Sequence, residues 1–174
     1  ATEKQGPIES AELAADKFAP APERSIAVLP FINMSGDADQ EYFSDGLTED
    51  LITDLSKISN LFVIARNSAF AYKGKSVNVQ EIGRDMGVRY VLEGSVRKAG
   101  QRVRITAQLI RAESGFHVWS DTWDRELKDI FVLQDEIAGM IARQVNMNMR
   151  QTSLHSEMTV ENTKAIDYYM QGMY

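Results

Sequence analysis

Asp45, Glu49, Asp50 and Asp54 recur at close helical spacing, and carboxylates so paired can hold Mg²⁺ or serve as general acid and base. No His, Lys or Gly-rich loop converges on them in sequence, so a solvated helix face is the plainer reading. The loop Asn33-Met34-Ser35-Gly36-Asp37 lies between an apolar run and a helical pattern, where phosphates commonly meet a helix N-terminus. It has a single Gly and no Gly-Lys-Thr, so it is neither a P-loop nor a dinucleotide fingerprint. Asp37, with Gln40 three residues on, reads more simply as a helix cap. Arg66-Asn67-Ser68 is a second polar stretch that could hold a nucleotide or metabolite. Asn33, Ser35, Gly36, Arg66 and Asn67 are therefore the candidate ligand residues.

His117 stands beside Trp119 and Trp123, but the only other His is His155 and there is no Cys, so a packed or hydrogen-bonded His is expected rather than a metal ligand. No GxSxG and no activated nucleophile pairing occurs. These residues call for no catalytic group, metal or cofactor. Arg89, Arg97, Lys98, Arg102, Arg104 and Arg111 form a basic stripe that could receive an acidic partner helix or a phosphate. A sheet face neutralised by nearby carboxylates is the plainer reading. With aromatic residues on the adjoining strand, Arg97, Arg102, Arg104, Trp119 and Trp123 form the candidate interaction surface.

The elements that must position these residues follow from periodicity. Ile26 to Phe31 is a near-continuous apolar run closed by Pro30, of a length that suits a buried strand. Phe43, Leu47, Leu51, Leu55 and Ile58 then recur as one helix face, with the acidic residues largely off it. Gly46 inside that helix costs about 1 kcal/mol relative to Ala, which suggests close backbone packing there. Leu61 to Ala65 reads as a second strand, so strand, helix and strand predict a right-handed parallel crossover. Residues 66–77, with Lys73-Gly74-Lys75, read as a polar loop. Asn78 and Glu81 predict a capping box opening a short helix that ends at Gly87. Val88 to Lys98 and Arg102 to Arg111 predict a hairpin turning at Ala99-Gly100. Val103, Ile105, Ala107 and Leu109 alternate with Arg102, Arg104, Thr106 and Gln108. Phe116 to Trp123 adds a third meander strand after the turn Glu113-Ser114-Gly115. Ile130, Leu133, Ile137, Ile141 and Val145 mark a closing amphipathic helix. The expected fold is α/β: a mixed sheet of about five strands, a parallel crossover joined to an antiparallel meander, with helices packed on it and a C-terminal helical extension.

The 174 residues, 44% of them hydrophobic, suit one domain with appendages and a core that needs no staples. A formal charge of −6 argues against nucleic-acid binding. No apolar run approaches the ~20 residues of a membrane-spanning helix, and no signal peptide is visible. Residues 1–24 read as a linker, rich in Ala, Glu, Lys and Pro, with a short helix around Glu9 to Lys17. The opening Ala1-Thr2-Glu3-Lys4 has the look of a fragment cut from a longer chain. The expected domain is 25–150, followed by a linker at 151–160 and a helix at 161–174.

From Ser25 to Ile137 one series of segments runs in fixed order. It holds Ser-Ile-Ala-Val-Leu-Pro-Phe, Asp-Gly-Leu-Thr-Glu-Asp-Leu and Leu-Phe-Val-Ile-Ala-Arg-Asn-Ser. Tyr-Val-Leu-Glu-Gly-Ser-Val-Arg-Lys, His-Val-Trp-Ser-Asp-Thr-Trp-Asp-Arg and Ile-Phe-Val-Leu-Gln-Asp-Glu-Ile follow. The series resembles the TolB amino-terminal-like, or FlgO-like, domain. That resemblance implies a bacterial signalling module behind a class III adenylate/guanylate cyclase domain or a winged-helix DNA-binding domain. It further implies that tetratricopeptide repeats follow, and Glu161 to Tyr174 resembles the helix that opens such an array. The metal-binding aspartates and transition-state Arg and Asn of such a cyclase are not found here, so its active site is expected upstream of Ala1. The implied role is a non-catalytic accessory, sensory or interaction domain. Its partners are the intramolecular output domain and the repeat array, another protein, or a second copy in a homodimer. It lies in the cytoplasm, or in the periplasm should the parent carry an upstream membrane span. The rival reading is a small-ligand or nucleotide sensor in a winged-helix regulator.

Overall fold

The computed structural model describes residues 21–148. The strands are β1 (Ser25–Val28), β2 (Ile32–Asn33), β3 (Phe62–Val63), β4 (Tyr90–Ala99), β5 (Arg102–Arg111) and β6 (His117–Glu126). The helices are α1 (Glu41–Ser56), α2 (Arg66–Phe70), α3 (Val79–Met86) and α4, helical over residues 130–148. They build the expected mixed sheet, in the order β3-β1-β4-β5-β6, with β2 extending the lane of β1 against β4. β1 runs parallel to both β3 and β4, while β4, β5 and β6 form an antiparallel meander. The β4–β5 turn places Gly100 at its first central position with φ +59°, the arrangement of a type II′ hairpin.

The sheet is covered differently on its two faces. α1 and α4 enclose the larger core, where Val28, Leu47, Leu51, Leu55, Ile105, Leu133, Ile137 and Ile141 are buried. On the opposite face α3 seals a smaller core of Ala27, Ile82, Val88, Val91 and Ala112. β1 is buried at every position, as a strand between two parallel neighbours with helices on both faces must be. β5 alternates as its sequence predicts: Val103, Ile105, Ala107 and Leu109 are buried, and Arg102 and Arg104 are exposed.

Several local expectations need correction. β1 ends at Val28; the Leu29 N–H still donates to the Leu92 carbonyl at 3.0 Å, and Pro30 and Phe31 then leave the ladder before β2 re-enters it, because Pro30 has no N–H to donate. β3 is an edge strand of only two residues, and Phe62 is 61% exposed. Residues 66–77 are not wholly loop, since α2 occupies their start. Asp37 caps a 3-10 turn at Ala38–Gln40 through Asp39 N–H, and Gln40 makes no side-chain cap for α1. Nothing packs against Gly46, where an added Cβ would meet open space. The expected helices at Glu9 to Lys17 and at 161–174, and the linker at 151–160, lie outside the described residues.

Candidate functional site

β1 and β3 are neighbouring parallel strands whose onward connections part to opposite faces, one to α1 and the other to α3. Such a divergence opens a crevice at the carboxyl ends of the strands, the usual ligand position in open α/β sheets. A cavity of about 470 Å³ lies beside the carboxyl end of β1, between it and the middle of β4, lined by Leu29 to Asn33, Glu41, Tyr72 to Ser76, Glu93 and Gly94. The Pro30 interruption shapes its floor. Phe31 turns inward, its N–H donating to Thr48 Oγ1 at 2.9 Å, while Thr48 donates to the carbonyl of Ser44 at 2.9 Å. The Phe31 ring packs where a side chain on Gly94 would stand.

On one charged wall a single ammonium serves two carboxylates, and among the described residues Asp45 Oδ1 is buried without a hydrogen-bond partner. Lys73 Nζ lies 2.5 Å from Asp45 Oδ2 and 3.2 Å from Glu41 Oε2. The hydrogen bond to Asp45 raises the Lys73 pKa above its ordinary value, against a smaller opposing effect of burial. Burial, then the negative charge of Asp85, raises the pKa of Tyr72, whose hydroxyl is 3.4 Å from Asp85 Oδ2. Gly74 takes φ +74° and turns the Lys73-Gly74-Lys75 tip, which the Lys75 N–H closes on the Tyr72 carbonyl at 3.1 Å. Among the described residues neither Lys75 nor Glu93 has a charged side-chain partner.

Of the five candidate ligand residues, only Asn33 lines this cavity. Asn33 Oδ1 accepts from Ser35 N–H at 3.0 Å, and its Nδ2 donates to the Asp37 carbonyl at 2.8 Å. Ser35 Oγ accepts from Lys98 N–H at 2.9 Å, and Gly36 takes the turn with φ +74°. These groups hold the loop and pin it to β4. Arg66 pairs with Glu49 at 3.3 Å, lies over the Phe70 ring at 4.3 Å and contacts Asn67 Oδ1 at 3.4 Å. Other acidic residues of α1 likewise engage separate neighbours: Asp45 holds Lys73, and Asp50 accepts from Gln134 Nε2 at 3.1 Å. Among the described residues no group of three or more His, Cys, Asp or Glu is placed to hold a metal.

The basic stripe is divided by the pleat. Arg97 and Arg104 stand opposite each other, with Arg102 one pair further along on the same exposed face. Arg102 and Arg104 share Asp124, at 3.1 and 3.0 Å. Those two hydrogen bonds, the one from Arg104 foremost, hold the Asp124 carboxyl below its usual pKa. Among the described residues Arg97 has no ion pair. Lys98 takes the other face, with its Nζ 5.9 Å from the Phe43 ring centroid. Arg89 donates to the Ala21 carbonyl, and Arg111 lies at the far end of β5 in register with Tyr90.

Trp119 and Trp123 are also on the face away from the arginines, in register with Leu109 and Ile105. Their rings lie 5.8 Å apart, and Trp123 is 3% exposed. The arginines and tryptophans therefore do not form one surface, because residues of opposite parity on paired strands face opposite ways. His117 is exposed at the start of β6 rather than packed. The cleft residues Tyr72, Lys73, Lys75, Glu93 and Gly94 were not singled out as a site from sequence. The apolar run broken at Pro30 and the Lys-Gly-Lys tip were the available signals.

Comparison with known proteins places this geometry in a lineage. A family described as "HilA/YgeH-like transcriptional regulator, second domain" matches residues 22–140. "Putative adenylate cyclase 3" of Rhizobium meliloti (strain 1021) is 58% identical over 125 residues, which are 72% of this chain and 21% of that protein. The chain thus spans about a fifth of the length of this curated relative. Among solved structures, lipoprotein GNA1162 from Neisseria meningitidis aligns at TM-score 0.52 and 20% identity, over 68% of this chain and 96% of that one. TolB from Acinetobacter baumannii aligns at TM-score 0.47 and 17% identity, over 74% and 29% of the two chains. The GNA1162 likeness is one of fold alone. The chain belongs to the family of HilA/YgeH-like regulator second domains.

Proposed function

We propose that this second domain of HilA/YgeH-like type serves, in its parent, as a non-catalytic regulatory module C-terminal to a class III adenylate/guanylate cyclase domain. The observation that carries the reading is the 58% identity to a protein named as an adenylate cyclase, of which this chain matches only a fifth. The module is a TolB amino-terminal-like, or FlgO-like, domain between a cytoplasmic output domain and a tetratricopeptide array. Cyclic nucleotide synthesis belongs to the output domain. The exposed face carrying Arg97, Arg102 and Arg104 is the contact offered to it, since Asp124 and Glu126, the latter opposite Arg102 and itself paired with Lys128, leave that cluster with excess positive charge. Such contacts steer and orient association, and they weaken with salt.

The test compares the parent cyclase with its Arg97→Glu, Arg102→Glu, Arg104→Glu variant, and with the 174-residue chain alone. The short chain, given ATP or GTP with Mg²⁺ or Mn²⁺, is expected to make no cyclic nucleotide. The variant is expected to stay folded and to change the parent's cyclic nucleotide output. Turnover by the short chain that is lost on mutating Asp45 or Asp50 refutes the non-catalytic reading. Unchanged output from a folded variant refutes the arginine face as the contact.

A second reading is favoured by the cleft: the domain senses a small ligand, as would also suit a winged-helix transcriptional regulator. Its position beside the carboxyl end of a parallel strand and its volume of about 470 Å³ both suit a small-molecule site, which commonly spans ~300–1,000 Å³.

A further inference from the structure

We propose that the cleft between the carboxyl end of β1 and the middle of β4 binds a small zwitterion of amino-acid or dipeptide size, its carboxylate on Lys75 and its ammonium on Glu93. The inference deepens the ligand-sensing reading and rests on the same cleft.

The charges left over in the cleft decide the class. Lys73 is engaged by both Glu41 and Asp45, and Asp45 lies outside the cavity lining. Lys75 and Glu93 line the same cavity, and among the described residues neither has an ion pair. One free cation and one free anion match a ligand that carries one of each. A polyphosphate fits poorly, because Glu41 and Glu93 stand in the wall it would touch and the whole chain carries a formal charge of −6. A wholly apolar ligand would strip water from both charged groups without replacing it.

The rest of the lining suits the body of such a molecule. Leu29, Phe31 and Ile32 supply apolar surface, and Tyr72 adds a ring. At about 30 Å³ per water-sized group, the roughly 470 Å³ cavity has room for an amino acid with ordered water, or for a dipeptide. The position of Lys75 is set by the backbone, since the Gly74 turn is closed by the Lys75 N–H on the Tyr72 carbonyl.

Calorimetric titration of the 174-residue chain with the proteinogenic amino acids and a set of dipeptides tests the proposal. Inorganic phosphate and ADP serve as rival probes. At least one zwitterion is expected to bind. Its analogue without the amine and its analogue without the carboxylate should each bind about tenfold or more weakly, as charged hydrogen bonds of this kind imply. Lys75→Met should weaken the parent ligand and abolish discrimination against the analogue lacking the carboxylate. Glu93→Gln should do the same for the analogue lacking the amine. Circular dichroism of both variants establishes that they are folded. The proposal is overturned if no zwitterion binds, if phosphate or ADP binds more tightly than every zwitterion, or if folded variants retain full discrimination. Because the titration reads binding directly, its failure leaves the regulatory role, which cyclase output tests, standing.

Discussion

Replacing Gly94 by Ala tests how the cleft floor is built. A Cβ at this position would stand 2.4 Å from the Thr106 carbonyl oxygen, and 2.5 and 2.7 Å from Cε2 and Cζ of Phe31. The first neighbour is backbone of β5, fixed in a long antiparallel ladder with β4 and β6. The second is the ring of Phe31, a residue only 1% exposed, whose backbone N–H donates to Thr48 Oγ1. Neither can yield by rotating a flexible end. Overpacking of this kind costs about 1–3 kcal/mol. Driving Phe31 out altogether would forfeit a further ~1.5–3 kcal/mol of burial. Removing a glycine from a strand returns about 0.5–1 kcal/mol. Taken at the middle of each range, the expected net loss is about 1 kcal/mol if the ring slides and about 3.5 kcal/mol if it leaves. Urea unfolding followed by tryptophan fluorescence measures it, because Trp119 and Trp123 pack against the larger core. Gly46→Ala is the internal control: its Cβ meets nothing, so the same exchange in α1 should stabilise by about 0.5–1 kcal/mol. A Gly94→Ala protein that melts with the wild type, or one stabilised like Gly46→Ala, refutes the packing argument.

Two further substitutions probe α1. Leu51→Ala, at a fully buried position, should cost about 2–5 kcal/mol. Glu49→Ala should cost less than about 1 kcal/mol, since it loses only an exposed pair with Arg66; comparable losses in denaturant melts would overturn the assignment of faces. Asp54 has a raised pKa, first from burial and then from the charge of Asp135 on α4, with Asp50 adding to the rise and Lys57 opposing it. A carboxyl so shifted holds its proton more tightly folded than unfolded, so it favours folding at low pH and that contribution is lost as pH rises from its ordinary 3.8 through the raised value. Asp54→Asn should therefore raise the melting temperature at neutral pH and give no such gain below pH 3.8; an equal gain at both pH values would show that the ionised carboxylate is not the cause.

The sequence made the repeating elements legible because each rests on a local rule. The alternation along β5, the helical stripe of Leu47, Leu51 and Leu55, and the helix end at Gly87, in the left-handed region at φ +65°, appear as read; Asn78 caps its helix through the Gln80 N–H, without the return bond from Glu81 that a capping box requires. What failed was juxtaposition. Arg97 and Lys98 are neighbours in sequence and lie on opposite faces, and Trp123 pairs across β5 with buried Ile105 rather than joining the arginines. A stripe read as one surface requires the parity of every strand at once, and a single strand does not supply it. Gly46 misled for a related reason: helix propensity marks a cost at that position, but only the neighbouring elements decide whether something packs there.

The cleft is the sharper case, because its walls, Glu41 of α1 aside, come from three separated stretches of chain. The stretch after β1 brings the Pro30 interruption, the stretch after α2 brings Lys73 to Lys75, and the middle of β4 brings Glu93 and Gly94. Each has a plain local explanation: a strand end, a polar loop, and a weak point in a strand. Only the order β3-β1-β4 sets them around one space, by sending the connection after β1 to one face and the connection after β3 to the other. The same topology explains why the acidic residues of α1 make no shared centre. α1 lies beside that divergence and meets a different element along each part of its length. Asp45 reaches the loop after α2, Glu49 reaches α2 itself, and Asp50 reaches α4. A helix whose carboxylates are divided among three neighbours fastens those neighbours together, and the charges left unmatched at the cleft, on Lys75 and Glu93, are the ones a ligand can still answer.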